Sequence, residues 1–415
     1  MRRVIGWTLA LLGALTFLGI AHAVGAGQAP KRWPGLNSGL AQPAVLAKAD
    51  LQYYWRLKVP LKQSESLRRL WRLDENVYGL TSRNRLIALD AMRGLLKWSV
   101  DVAQPAAAVY APCHADDVRL PVGGGISAIL DPPDLSKVKP FNAVIIHTIG
   151  YALVLDRNTG KQVRKLDFKF VANTPASSDG THLYVGSLKG WFHAVRLADG
   201  LKQWTMATGG MMSARPVVHK QNLYVGSRDT KFYCVRTTSR ERPHLWTRKT
   251  DGPLTANFVV DDRGCFVPTQ DGRLYAYDGL TGVNVWTFRT RGSLRTPVQV
   301  GAISAFQYAE KDRLYAINLA NGRKRWDLPA GRAVVAAIKP HVYVLTAKRT
   351  LLAVHETLGK VEASIPMRGM HLFVPSATTP AVYGATVFGD VFCVAPKSVG
   401  HITPAMLKDK PKQTP

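Results

Sequence analysis

The sequence predicts an all-β fold: an eight-bladed β-propeller of four-stranded blades, its ring closed by an N-terminal strand. Three observations carry this expectation. A strand–turn–strand pattern, clearest at Ala276-Tyr277-Asp278-Gly279-Leu280-Thr281-Gly282-Val283-Asn284-Val285-Trp286, recurs about every forty residues, the period of a four-stranded propeller unit. Eight units begin in this way. The last lacks its Trp-bearing strand, and a matching strand stands unused near the N-terminus, around Trp55.

Each strand of the unit follows from a slot that repeats. The second residue of the strand before the turn is Tyr78, Val144, Tyr184, Tyr224, Phe266, Phe306, Tyr343 or Tyr383. Two positions before the turn lies a small side chain: Ala88, Val154, Ala194, Cys234, Ala276, Ala316, Ala353 or Cys393. The turn opens on Asp90, Asp156, Arg196, Arg236, Asp278, Asn318, His355 or Ala395, and Gly94, Gly160, Gly200, Gly282, Gly322 and Gly359 close it. Asp bonds its own backbone in such a turn, and Gly takes positive φ without a Cβ clash. The returning strand carries Trp98, Arg164, Trp204, Trp286, Trp326 or Ala363, and Trp246 arrives two residues late. A Trp recurring at a fixed slot is read as packing, a large apolar plate with one N–H to satisfy. Runs such as Arg85-Leu86-Ile87-Ala88-Leu89 are apolar on both faces, as strands sandwiched between neighbouring blades require. The segment Tyr53 to Leu61 supplies the missing outer strand, with Trp55 about one repeat before Trp98.

The remaining chain divides around this ring. Residues 1–23 read as a signal peptide or N-terminal anchor: Arg2-Arg3, an apolar run from Val4 to Ile20, then Ala21-His22-Ala23 in a small-x-small cleavage pattern. An uncleaved anchor is the alternative, because the run approaches membrane-spanning length. Either reading exports the propeller to the periplasm or cell envelope. No Cys follows the run, so a lipoprotein anchor is not expected. Residues 24–49 read as a linker, 50–396 as the propeller with an insertion at 112–140, and 397–415 as a flexible basic tail.

The four cysteines do not form a disulfide framework. Cys234 and Cys393 fill the small slot and Cys265 starts a strand, so all three read as small hydrophobes. Cys113, with His114, Asp116 and Asp117 beside it, lacks the four Cys or His ligands of a closed structural zinc site. No metal is expected. The formal net charge of +27 creates a field that attracts anions. Nucleic acid is not expected, since the chain reads as exported and carries no nucleic-acid-binding motif. Anionic envelope polymers, a membrane surface or an acidic protein suit the charge better, and a generally basic proteome is the bland alternative.

The pattern Ala-x-Asp-x-x-Thr-Gly-x-x-x-Trp at Ala276 to Trp286 resembles the tryptophan-docking repeat of the pyrroloquinoline-quinone-like propeller superfamily. Eight modest blades, a closing N-terminal strand and an export signal are most similar to the propeller subunits of the outer-membrane β-barrel assembly machinery. The resemblance covers about residues 50 to 396. It implies a non-enzymatic interaction scaffold in the cell envelope, a monomer within a complex, with barrel-assembly components as partners. The runner-up is a quinoprotein dehydrogenase using pyrroloquinoline quinone (PQQ) and Ca²⁺. Several such relatives have an adjacent Cys pair, which this chain lacks, and its strand-start segments offer Ser, Thr, Ala and Arg in place of hard carboxylate ligands. No cofactor is therefore expected. A hydrolase is the third class, and no Gly-x-Ser-x-Gly motif occurs. Arg215 and Arg295 hold equivalent places before Pro216 and Thr296-Pro297, which makes them candidate anion contacts facing the axial channel. The alternative is that they are solvated rim charges or ion-paired.

Overall fold

The second and third strands of each unit bury both faces. Asn76–Thr81 is buried throughout, as are Leu223–Gly226 and the middle of Lys231–Arg236. Strands of this kind must lie between two other sheets. The computed structural model, which describes residues 40–120, 135–237 and 244–407, shows how the chain achieves this. Eight four-stranded antiparallel sheets form a ring. Seven are continuous in sequence, spanning residues 67–101, 113–167, 177–207, 217–249, 259–289, 299–328 and 331–366. The eighth combines three strands between 372 and 396 with Leu51–Lys58, which pairs antiparallel to Asp390–Pro396. We call them blades one to eight in that order.

One cross-strand row builds each blade. Tyr78 pairs with Ala88, which pairs with Trp98, and the same row recurs as Phe306, Ala316 and Trp326. The small central residue lets the flanking rings lean together over it. Ring centroids lie 6.0 Å apart for Tyr78 and Trp98, 5.9 Å for Phe266 and Trp286, and 6.0 Å for Trp55 and Tyr383. A β-bulge follows the small residue in each of blades one to seven, for example between Ala276 and Tyr277. Blade two departs by one residue: Ile145, not Val144, pairs with Val154, because its second hairpin is one residue shorter.

Blades are joined by Trp and Gly. A Cβ at Gly282 in blade five would lie 2.7 Å from the Trp246 ring of blade four, and Gly160 meets Trp98 in the same way. The indole N–H then donates to the neighbouring turn: Trp98 to Arg157 O at 3.0 Å, Trp286 to Leu319 O at 2.8 Å and Trp326 to Glu356 O at 2.7 Å. Asp278 Oδ1 accepts from Leu280 N at 3.1 Å and Thr281 N at 2.7 Å, while Gly282 sits at φ +68°. Asp156 and Asp90 organise their turns likewise.

Several boundaries differ from the sequence expectation. The closing strand ends at Lys58, short of Leu61. Residues 40–49 do not behave as a linker: a short helix, Pro43–Ala47, buries Leu46 against blades seven and eight. The expected insertion at 112–140 contains the innermost strand of blade two, Cys113–Val118, and residues 121–134 lie outside the described residues. The tail from Lys397 is not loose as far as Leu407. Ile402 and Leu407 are buried in the core shared by blades eight and one, and Arg72 donates to Leu407 O. The signal segment 1–23 and residues 408–415 also lie outside the described residues.

Candidate functional site

Antiparallel blades give the ring two unlike faces. Hairpins between strands two and three share one face with the connections from strand four to the next blade. In blade two the hairpin reads Thr148-Ile149-Gly150-Tyr151, and in blade three Ser187-Leu188-Lys189-Gly190-Trp191. Corresponding tips in blades four and five are polar: Ser227-Arg228-Asp229-Thr230 and Thr269-Gln270-Asp271-Gly272.

Ile149, Val171, Leu188 and Trp191 are 48%, 53%, 52% and 45% exposed. Backbone bonds bring their segments side by side. Phe168 N donates to Gly150 O at 2.7 Å, Ala172 N to Ile149 O at 2.9 Å, and Asn173 N to Gly186 O at 3.0 Å. Beneath them runs an aromatic stack. Tyr110 lies on His147 at 4.7 Å, His147 meets Phe168 edge-on at 6.2 Å, Phe168 stacks on Phe170 at 5.1 Å, and Phe170 on His193 at 3.7 Å. Burial lowers His147 to about 4, against the hydrogen bond to Thr148 and helped by the Arg215 charge. Burial, with Lys202 nearby, also lowers His193 to about 4. Both rings are therefore neutral plates at neutral pH. The arrangement offers a rigid apolar platform and no acid–base pair.

The two candidate arginines separate. Arg215 reaches across to blade two, donating to Ala111 O at 3.2 Å and Pro112 O at 2.9 Å, while its own N–H donates to Asn257 Oδ1 at 2.8 Å. Burial lowers its pKa, and the Cys113 thiol opposes that shift. Arg295 is exposed, with Nε 3.4 Å from Glu310 Oε2. One is a strut between inner segments and the other a rim charge, so they do not form one anion cradle.

The repeat residues serve the joints already described. Trp55 donates to Ala91 O at 2.9 Å. Trp246 Nε1 has no partner among the described residues, and Gly279 O accepts from Tyr224 OH at 2.9 Å. Trp204 is less buried than its counterparts, and part of the blade-four turn in its register, 238–243, lies outside the described residues. Cys234, Cys265 and Cys393 are buried in strands. Cys113 and His114 point to opposite faces of their strand, as adjacent strand residues must. His114 Nδ1 lies 2.8 Å from Asp74 Oδ2 and its Nε2 2.9 Å from Tyr78 OH, while Asp116 pairs with Arg157. The four residues around Cys113 thus do not converge. Asp74, Glu75 and His114 do cluster within cation-binding reach, but Arg157 Nη1 already stands 3.6 Å from Glu75.

The apolar platform was not legible from the repeat slots, since a hairpin tip is the variable part of each unit. The usable signal was the contrast between apolar tips in the successive blades two and three and polar tips in blades four and five; blade eight also carries an exposed Phe388 at its tip.

No helix among the described residues is long and apolar enough to cross a membrane. A family model described as "Outer membrane protein assembly factor BamB" matches residues 150–243 and 234–399. No curated protein sequence matches the chain. Among solved structures, BamB from Moraxella catarrhalis superposes with a TM-score of 0.60 at 16% identity, covering 83% of this chain and 99% of that one. The computationally designed Ika8 protein also gives 0.60, at 13% identity, covering 82% and 99%. At these identities the likeness is one of fold.

Proposed function

The chain belongs to the family of outer membrane protein assembly factor BamB, and from that premise we propose that it is an exported, non-enzymatic propeller scaffold of the cell envelope. Its hairpin face receives a protein partner of the outer-membrane assembly apparatus. One observation carries this reading: Ile149, Val171, Leu188 and Trp191 are exposed together on one face, over an aromatic stack in which His147 and His193 are buried and Phe168 and Phe170 half-buried. Single exposed apolar residues are ordinary, but a contiguous group rimmed by polar residues marks an interaction surface. Lys169 and Lys189 form part of that rim, which favours a partner segment with apolar and acidic side chains.

The quinoprotein alternative finds little support in the inner segments. Before the inner strands stand Ser213, Arg215, Thr255, Asn257, Arg295 and Thr296, and they offer no carboxylate for a Ca²⁺ ion or a proton-abstracting base. No step is assigned to a quinone.

The test is photocrosslinking from position 189, on the rim of the same hairpin, in native envelope, with partners identified by mass. A barrel-assembly component should be captured, and Leu188→Ser with Trp191→Ser should abolish its capture without changing the melting curve. Capture that survives the double variant would remove this face from the function. Dye-linked alcohol or sugar oxidation by the protein with PQQ and Ca²⁺ would overturn the non-enzymatic reading.

A further inference from the structure

The cleft between blades one and two is built differently from the apolar platform. It has a volume of about 530 Å³, and its lining includes Lys62, Arg83, Gln104, Tyr151, Gln162 and Lys165. Both flanking connections are held by buried polar groups. Asn84, 4% exposed and at φ +58°, donates to Gln104 O at 2.7 Å and Ala107 O at 2.8 Å. Across the cleft, Arg85 donates to Glu65 Oε1 at 3.2 Å and to Pro60 O at 2.7 Å, and Glu65 Oε2 accepts from Lys62 N at 2.8 Å. Tyr151 OH fixes the floor by donating to Val102 O at 2.9 Å.

On this rigid frame the lining sets three cations, Lys62, Arg83 and Lys165, against one carboxylate, Asp101. Arg83 is exposed and has no side-chain partner among the described residues. Lys165 lies 4.8 Å from the Tyr151 ring centroid and 2.9 Å from Asp167 Oδ1, and Lys62 reaches Asp101 at 3.4 Å. Those two ion pairs are exposed and contribute little, so an incoming anion can replace either. We infer that this cleft binds a phosphate ester, with Arg83 as the forked donor, Lys62 and Lys165 as point charges, and Gln104 and Gln162 as neutral donors. The apolar floor of Val102, Leu153 and Tyr151 accepts a short carbon skeleton attached to the phosphate. This site is independent of the protein-docking reading above.

A lipid headgroup and a soluble ester share this chemistry, so the test has two arms. Titration calorimetry uses sn-glycerol 3-phosphate, and vesicle flotation compares phosphatidylglycerol with phosphatidylcholine. Saturable binding in the first arm, weakened tenfold or more by Arg83→Ala, identifies a soluble ester. The same loss confined to phosphatidylglycerol vesicles identifies a lipid headgroup. Arg323→Ala removes an equal charge from the opposite face of the ring and should leave binding unchanged. No binding in either arm, or equal weakening by Arg83→Ala and Arg323→Ala, would overturn the assignment. Since Arg83 is exposed on a hairpin tip, its variant should melt with the parent.

Discussion

Glu65 and Gly282 show how single residues set the local energetics. Burial by itself would raise the Glu65 carboxyl. Hydrogen bonds from Arg85, Thr81 and the Lys62 N–H outweigh burial and hold it at about 2. Its folded pKa lies below the ordinary carboxylate value, so its stabilisation is full above pH 4.5 and is lost as pH falls towards 2. The Glu65→Gln variant should therefore lose the part of the acid-induced fall in stability that lies in this window. Denaturant titrations at neutral and acid pH measure it. An unchanged acid profile would contradict the role. Gly282→Ala forces a Cβ into positive φ and against the Trp246 ring. The backbone term alone costs roughly 1–2 kcal/mol, so the variant should be less stable by at least that much. Trp246 makes a sensitive reporter, because it packs beside Gly282 and lacks an N–H partner.

Among the elements, the closing strand and the C-terminal segment meet at the same joint. Leu51–Lys58 pairs along Asp390–Pro396, and Trp55 packs on Gly94 and Tyr383. Truncating a large buried aromatic to Ala typically costs about 3–5 kcal/mol, so Trp55→Ala should destabilise the whole ring. Removing residues 400–415 takes Ile402 and Leu407 out of the core shared by blades eight and one and strips an acceptor from the buried Arg72 guanidinium. That deletion should also lower the melting temperature, by less than Trp55→Ala, because no sheet loses a strand. If the deletion proves the more damaging, the C-terminal segment rather than Leu51–Lys58 is the principal clasp.

At the scale of the whole molecule, the charge of +27 acts over the surface and not through one pair. Exposed charges are screened over about 8 Å at physiological ionic strength. Retention on phosphatidylglycerol vesicles should accordingly fall steeply between low and physiological salt. Salt-independent retention would assign it to the apolar platform instead. The ring also explains why mutations at the Trp joints should act globally: each joint ties one blade to the next, and a closed ring has no end at which damage can stop.

Repetition made the architecture readable from the sequence. Tyr78, Ala88 and Trp98 are near neighbours in the chain, and their spacing recurs because every blade solves the same packing problem. Blade number, strand order and closure by the strand around Trp55 all follow from it. The departures arose where local spacing carries no information. Ile145 replaces Val144 in its row because a hairpin is one residue shorter, and Leu407 docks because a surface on blades one and eight awaits it. Tertiary structure alone decided what surrounds the candidate side chains. Arg215 and Arg295 occupy equivalent repeat positions, yet one meets a carbonyl 104 residues away and the other a rim carboxylate. A repeat specifies the contacts within and between successive blades. Contacts across the ring depend on where closure brings distant segments, and the character of each hairpin tip depends on residues outside the repeated slots.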